Sequence, residues 1–292
     1  ADHYWQAHVA RDALKVVWDD GANAHLTTAS MRAGLASAKG TALTARKDGA
    51  GAAAVKGGKK QVSATYELPV RAHATMEPMN CTARVTADKA EVWVATQNAE
   101  ASLAALSEQS GLPLAQCEVY KTVLGGGFGR RGGNQDFIRQ AADIAKQFPG
   151  VPVKMIWSRE EDMTHDAFHP VTQCKLTAGF DASGKLTAMH MRISGQSILA
   201  GVFPQNIKDG KDPVVFQGLN DGGGEAMIGY SFPNLLIDHA MRNPHVPPGF
   251  WRGVNLNQNA IYLECFIDEI AAATNQDPLE LRRKLMGKHP KH

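Results

Sequence analysis

The sequence predicts an α+β fold, and three observations carry that prediction. Two hairpin patterns stand at residues 82–86 with 90–95 and at 173–180 with 185–194. A strand-like run at 117–124 feeds a glycine loop and then a helical run at 136–148. Two helical patterns close the chain, one over 258–274 and one starting at Asp277-Pro278-Leu279-Glu280. Strands and helices in this mixture build layered domains in which each element buries one face.

The chain of 292 residues suffices for one large domain or two ordinary ones. Basic and acidic residues nearly balance, at 31 and 29, which argues against nucleic-acid or membrane-surface binding through bulk charge. No apolar run approaches the length of a membrane span. The four cysteines, Cys81, Cys117, Cys174 and Cys265, contain no C-x-x-C pair, so they suggest neither a zinc or iron–sulfur site nor a disulfide scaffold.

Taken in order, residues 4–14 have helical spacing with Trp5, Val9, Ala13 and Leu14 on one side, and residues 15–18 read as a short strand ended by Asp19-Asp20-Gly21. The stretch 22–60 turns to Ala, Gly, Lys and Thr with one helical patch at 29–38, and reads as a long connection. A strand follows at 61–68, and then His73 and Glu77, four apart, which read as a structural hydrogen-bonded pair or an acid/base pair. Residues 101–111 are helical, with Gly111 as the C-cap and Pro113 beyond it. After the glycine loop, 151–157 reads as a buried strand and Ser158 caps a short helix. His165 and His169 share helical spacing, but Asp follows the first histidine where the zinc-protease pattern has Glu, and Pro170 ends the helix, so they read as loop histidines. Residues 201–221 are irregular, and Gly222-Gly223-Gly224 reads as a turn. In the helix over 258–274, Ile261, Leu263, Phe266, Ile267 and Ile270 form the apolar side, and Asp277 caps the helix that follows, with Pro278 at N1.

The most informative stretch is Gly125-Gly126-Gly127-Phe128-Gly129-Arg130-Arg131-Gly132-Gly133. Glycines admit positive φ and a close approach of the backbone to a ligand, and a helix N-terminus favours an anion. Arg130 and Arg131 add cationic, bidentate donors to that expectation. Residues 127–132 also satisfy G-x-G-x-x-G, but the acid that a dinucleotide fold requires after the next strand is absent, since Glu160 lies too far along.

Together with Thr96-Gln97, Phe250-Trp251-Arg252-Gly253, Gln258 and the helix through Glu264, the glycine loop resembles the molybdenum hydroxylase large subunits of the xanthine dehydrogenase and aldehyde oxidase superfamily. Arg130-Arg131 and His73-Ala74-Thr75-Met76-Glu77-Pro78 resemble the isoquinoline 1-oxidoreductase beta-subunit branch. The resemblance implies a mixed-sheet molybdopterin-binding domain. It divides the chain into the tail of a small α/β hammerhead domain (1–21), a linker (22–60) and the first molybdenum cofactor-binding domain (61–292), with the second such domain absent. It implies cofactor contacts from Gly125, Gly126, Gly127, Phe128, Gly129, Arg130, Gln97, Arg252 and Gly253, and a place for Trp251 beside the substrate.

The implied cofactor is molybdopterin, as the cytosine dinucleotide, with the metal held by the pterin and not by protein ligands. The implied reaction is hydroxylation of an N-heteroaromatic or oxidation of an aldehyde with water as oxygen source. Electrons would pass to a [2Fe–2S] partner subunit, with a cytochrome c as a further acceptor. The branch suggests a bacterial protein, with the periplasm favoured over the cytoplasm. In this chain Arg71 stands where xanthine dehydrogenase has a glutamine that bonds the molybdenum oxo group. The family's general-base glutamate is expected outside the chain, because Gly222-Gly223-Gly224-Glu225 precedes Arg252 and is in the wrong order. No catalytic residue is therefore assigned and this polypeptide alone is expected to be inactive. The competing expectations are a non-catalytic scaffold that engages only a partner subunit, and a nucleotide-dependent enzyme using residues 127–132 for phosphate.

Overall fold

A computed structural model describes residues 1–37, 42–220 and 228–288. Gly222, Gly223, Gly224 and Glu225 lie outside the described residues. Two mixed sheets organise the chain. The first has five strands in the order β1 (Leu43–Asp48), β9 (Leu235–Met241), β8 (Leu186–Gly195), β7 (Thr172–Phe180), β2 (Lys60–Leu68). The second has four, in the order β5 (Cys117–Lys121), β4 (Ala90–Val94), β3 (Asn80–Val85), β6 (Val153–Ile156). Each contains one parallel pair, β8 with β9 and β4 with β5, and its remaining pairs are antiparallel.

Both predicted hairpins are present as β3–β4 and β7–β8, the second turned by Asp181, whose Oδ1 accepts from the N–H groups of Ser183 and Lys185. The four-stranded sheet buries Cys81, Ala83, Val92 and Val94 against α4 (Ala99–Ser110) and α5 (Asp136–Lys146), whose Leu106, Phe137, Ile138 and Ala141 complete that core. α4 ends as its sequence requires, with Gly111 in the left-handed region at φ 78°. In the five-stranded sheet, Leu176, Phe180, Met191 and Ile237 pack with Phe266 and Ile270 of α8 (Leu256–Ala273). Asp277 caps α9 (Pro278–Leu285) through the N–H groups of Leu279 and Glu280, and Arg282 ties it back to Glu264 and Asp268 of α8.

Several elements differ from expectation. Residues 15–18 form no strand: Val17 and Trp18 are 96% and 81% exposed, and among the described residues no neighbouring strand supplies the ladder bonds an extended segment needs. α1 (Tyr4–Asp12) does form but buries no residue. In the stretch expected as a connection, α2 (Thr28–Ala36) stands where the helical patch was expected, but α3 (Ala52–Lys56) and the edge strand β1 are additional; the Arg and Lys content of β1 suits an edge and hides it from a search for apolar alternation. β9 was not predicted at all. Its apolar run is broken by Asp238 and His239, but Asp238 receives Arg192 Nε at 2.9 Å, Arg192 Nη2 at 2.8 Å and His190 Nε2 at 3.1 Å from β8. Burial opposes the Asp238 carboxylate, but these partners hold its pKa below the ordinary value. β6 is an edge strand with alternating exposure, not a buried one. Among the described residues no helix is long and apolar enough to cross a membrane.

Candidate functional site

The glycine loop leaves β5 and passes between three other segments, residues 71–78, the turn at Gln97 and residues 250–255. Its shape is set from below. Arg131 is fully buried, with Nε donating to the Gly126 carbonyl at 3.0 Å, Nη1 to that of Ala95 at 3.1 Å and Nη2 to that of Glu77 at 2.8 Å. Arg131 Nη2 also pairs with Glu77 Oε2 at 3.1 Å, and the same oxygen accepts from the Gly125 N–H at 2.8 Å. Burial raises the Glu77 pKa, but Asn80, the Gly125 N–H and the Arg131 charge outweigh it and hold the carboxyl below its ordinary value. Gln97 Oε1 takes the N–H groups of Gly129 at 3.0 Å and Arg131 at 3.3 Å.

Arg130 is also turned inward. Its Nη1 and Nη2 grip Asp136 at 2.9 Å each, and its Nε lies 3.0 Å from Asp166 Oδ1. This corrects the expectation that Arg130 and Arg131 present free cationic donors to an anion. Asp136 opens α5, so the helix N-terminus is answered by the chain's own carboxylate and arginine. The pairing expected between His73 and Glu77 is corrected as well. Glu77 serves the glycine loop, while His73 Nδ1 lies 2.9 Å from Asp166 Oδ1 and Nε2 lies 3.1 Å from the Phe250 carbonyl oxygen.

The loop meets residues 250–255 directly. The Arg252 N–H donates to the Phe128 carbonyl at 2.7 Å. A Cβ at Gly129 would lie 1.6 Å from the Phe250 carbonyl oxygen, and Gly129 has φ +109°, so only glycine fits there. A Cβ at Gly127 would meet Gln97 Oε1 at 2.4 Å and one at Gly125 would meet Glu77 Cβ at 2.4 Å. The close approach these glycines permit is thus to protein. What the loop leaves open is the backbone of Gly126, Gly127 and Phe128, whose N–H groups donate to no protein acceptor among the described residues. Phe128, 42% exposed, holds the left-handed region at φ 54°, a conformation that costs a non-glycine residue about 1–2 kcal/mol.

Beside this seam the Arg71 guanidinium carbon lies 4.9 Å from the centroid of the Trp251 ring, and the buried His169 ring meets Trp251 edge-on at 5.8 Å. Burial, with Arg71's charge second, pushes the His169 pKa down to about 4. Arg71 Nε and Nη2, Trp251 Nε1 and Gln258 Oε1 are shut off from water and hydrogen-bonded to nothing among the described residues. Arg252 and Gly253 are exposed, and Gly253 has φ +81°. His165 pairs with Glu161 on the surface, away from His169. Among the described residues no three His, Cys, Asp or Glu side chains gather where a metal ion would sit.

The family described as the molybdopterin cofactor-binding domain matches residues 36–286. The chain belongs to this family. It is 27% identical over 292 residues to a membrane-bound aldehyde dehydrogenase [pyrroloquinoline-quinone] of Gluconacetobacter polyoxogenes, covering 98% of this chain and 37% of that protein. It is 29% identical over 222 residues to the isoquinoline 1-oxidoreductase subunit beta of Brevundimonas diminuta, covering 75% of this chain and 27% of that one. The fold matches the aldehyde oxidoreductase of Desulfovibrio gigas at a TM-score of 0.63 with 20% identity, over 83% of this chain and 25% of that structure. Quinoline 2-oxidoreductase of Pseudomonas putida 86 matches at 0.64 with 19% identity, over 83% and 30%.

The chain therefore spans between a quarter and somewhat over a third of the length of these relatives. The residues present fit an oxygen- and nitrogen-rich group, since the loop and its surroundings offer unpaired backbone N–H groups, orphaned donors at Arg71 and Trp251 and an orphaned amide oxygen at Gln258. Sequence reasoning had singled out the glycine loop, Gln97 and residues 250–253. It read the buried His169 as a loop histidine and did not pair Glu77 with Arg131, because both depend on contacts between distant segments.

Proposed function

We propose that this chain forms one wall of the molybdopterin cleft in a subunit that hydroxylates N-heteroaromatics or oxidises aldehydes. The observation that carries the reading is the Arg252 N–H donating to the Phe128 carbonyl, which brings the two family motifs into one seam. When bound, the group supplies two-electron oxidation with water as the oxygen source. The N–H groups of Gly126, Gly127 and Phe128 bind its acceptor atoms, while Gln97, Gly125, Gly129 and Arg130 fix the loop's shape through the bonds above. Arg252 and Gly253 face it from the other strand of the seam, and Trp251 lies beside the substrate. The cofactor is the cytosine dinucleotide form, electrons leave through a [2Fe–2S] subunit to a cytochrome c, and a glutamate from elsewhere in the subunit serves as the base. Residues 1–21 belong to a neighbouring hammerhead domain.

The test is molybdenum content by plasma mass spectrometry with pterin fluorescence after oxidative release, on the chain alone and co-expressed with a full-length relative's C-terminal half. Metal and pterin in stoichiometric amount in either sample support the reading. If neither sample holds them, or if a quinone is extracted in their place, the reading is lost. No hydroxylase turnover is expected from this polypeptide alone.

A further inference from the structure

Arg252 is exposed; of the three other arginines at the seam, Arg130 and Arg131 are paired with carboxylates and Arg71 is not. No carboxylate lies within ion-pair distance of Arg71 among the described residues, and no acceptor receives its Nε or Nη2. Trp251, stacked on it, carries the third unpaired donor at Nε1. Burying a cation and an indole N–H without an acceptor is unfavourable, and native folds keep such groups where a partner arrives from outside. We propose that Arg71 and Trp251 form a subsite for an oxyanion, carried either on the substrate as a carboxylate or on the cofactor as a phosphate.

Position and charge both favour this assignment. The backbone on either side of Trp251 is anchored, since the Phe250 carbonyl lies against His73 Nε2 and the Arg252 N–H is bonded to Phe128. Arg71 is fixed by its carbonyl, which accepts the His169 N–H at 2.9 Å. His169 closes the wall without adding charge, because its Nδ1 donates to the Pro170 carbonyl at 3.1 Å and its burial keeps the ring neutral near pH 7. The subsite therefore presents three N–H directions and one positive charge. Two of those directions belong to the planar fork of a guanidinium, which suits two oxygens of one anion. Both residues are half-buried while the three donors themselves are shut off from water, so a ligand reaches them by displacing the outer part of the stack. The inference rests on the proposed function only for the ligand's source.

The experiment follows the indole N–H resonances of the five tryptophans in ¹⁵N-labelled protein, with Trp251 assigned by W251F. Benzoate, its neutral isostere benzamide, and pyrophosphate are titrated in turn. The Trp251 resonance is expected to shift saturably with an anion and to stay in place with benzamide. R71Q weakens that titration at least ten-fold, R71K by less, and the other four indole resonances report that each variant is folded. A response to benzoate assigns the oxyanion to a substrate, and a response to pyrophosphate alone assigns it to the cofactor. No saturable shift with either anion, or an unchanged titration in folded R71Q, overturns the proposal. Molybdenum and pterin assayed on the same samples report separately on the hydroxylase reading, which can then fail while the anion titration stands.

Discussion

Replacing Gly129 by alanine tests the seam most directly. The added Cβ would fall 1.6 Å from the Phe250 carbonyl oxygen, at a residue with φ +109°, so residues 250–252 must retreat. The left-handed conformation costs about 1–2 kcal/mol. Retreat also breaks the hydrogen bonds from His73 Nε2 to Phe250 and from the Arg252 N–H to Phe128, each contributing about 1 kcal/mol. Together these predict a loss of about 3–4 kcal/mol in unfolding free energy. Gly133 is the control, because its φ is not positive and a Cβ there meets nothing within 4 Å, so G133A stays within about 0.5 kcal/mol of the parent. Urea unfolding followed by circular dichroism measures both. A cost for G129A below about 1 kcal/mol, or one matching G133A, would refute the claim that glycine is required there by the opposing carbonyl.

Other perturbations follow from the same contacts. E77Q leaves the fully buried Arg131 without its carboxylate and is expected to cost about 2–3 kcal/mol at neutral pH, read by the same unfolding assay. Because the Glu77 pKa is lowered in the folded state, its contribution is present above the ordinary glutamate range and fades as pH falls below it. E77Q should therefore flatten the acid limb of the stability profile. His169, with its pKa pushed down to about 4, acts in the next window up: stability is full above about pH 6.5 and falls toward pH 4 as the unfolded chain takes the proton first. That group accounts for up to about 3 kcal/mol of the fall, and H169F should lessen the slope in a pH series of unfolding curves, leaving the part due to His239, whose pKa burial also lowers. Of the four cysteines, exposed Cys265 should react quickly with a thiol reagent. Buried Cys81, whose thiol burial pushes up to about 12, and Cys174, also pushed up by burial, should react only on unfolding.

Local chemistry was legible in the sequence where it settles structure by itself. Gly111 and the Asp277-Pro278 start delimited their helices, Asp181 to Gly184 turned a hairpin, and the apolar spacing of Phe137, Ile138 and Ala141 gave the buried face of α5. Strands whose polar residues are satisfied by a neighbour were not legible. β9 reads as an interrupted apolar run until Arg192 and His190 of β8 are set against Asp238, and β1 is an edge rich in charge. At the site the motif glycines were found, but their reason was not. The sequence suggested room for a ligand, and the fold gives Gln97, Glu77 and the Phe250 carbonyl as the groups that need the space. The two loop arginines misled for a related cause, since their carboxylate partners Asp136, Asp166 and Glu77 are not adjacent to them in sequence.

The order of strands along the chain has a consequence for how the protein comes to fold. The four-stranded sheet is assembled wholly from residues 80–156, whereas the five-stranded sheet must wait for β2 to find β7 across that insertion and for β1 to find β9. Closing such long loops is slow relative to local pairing. The glycine loop belongs to the early, contiguous unit, while Arg71, His169 and residues 250–255 belong to the host around it. The seam between them therefore cannot close until those distant segments have met, so the glycine loop depends for its final shape on the slower part of the fold.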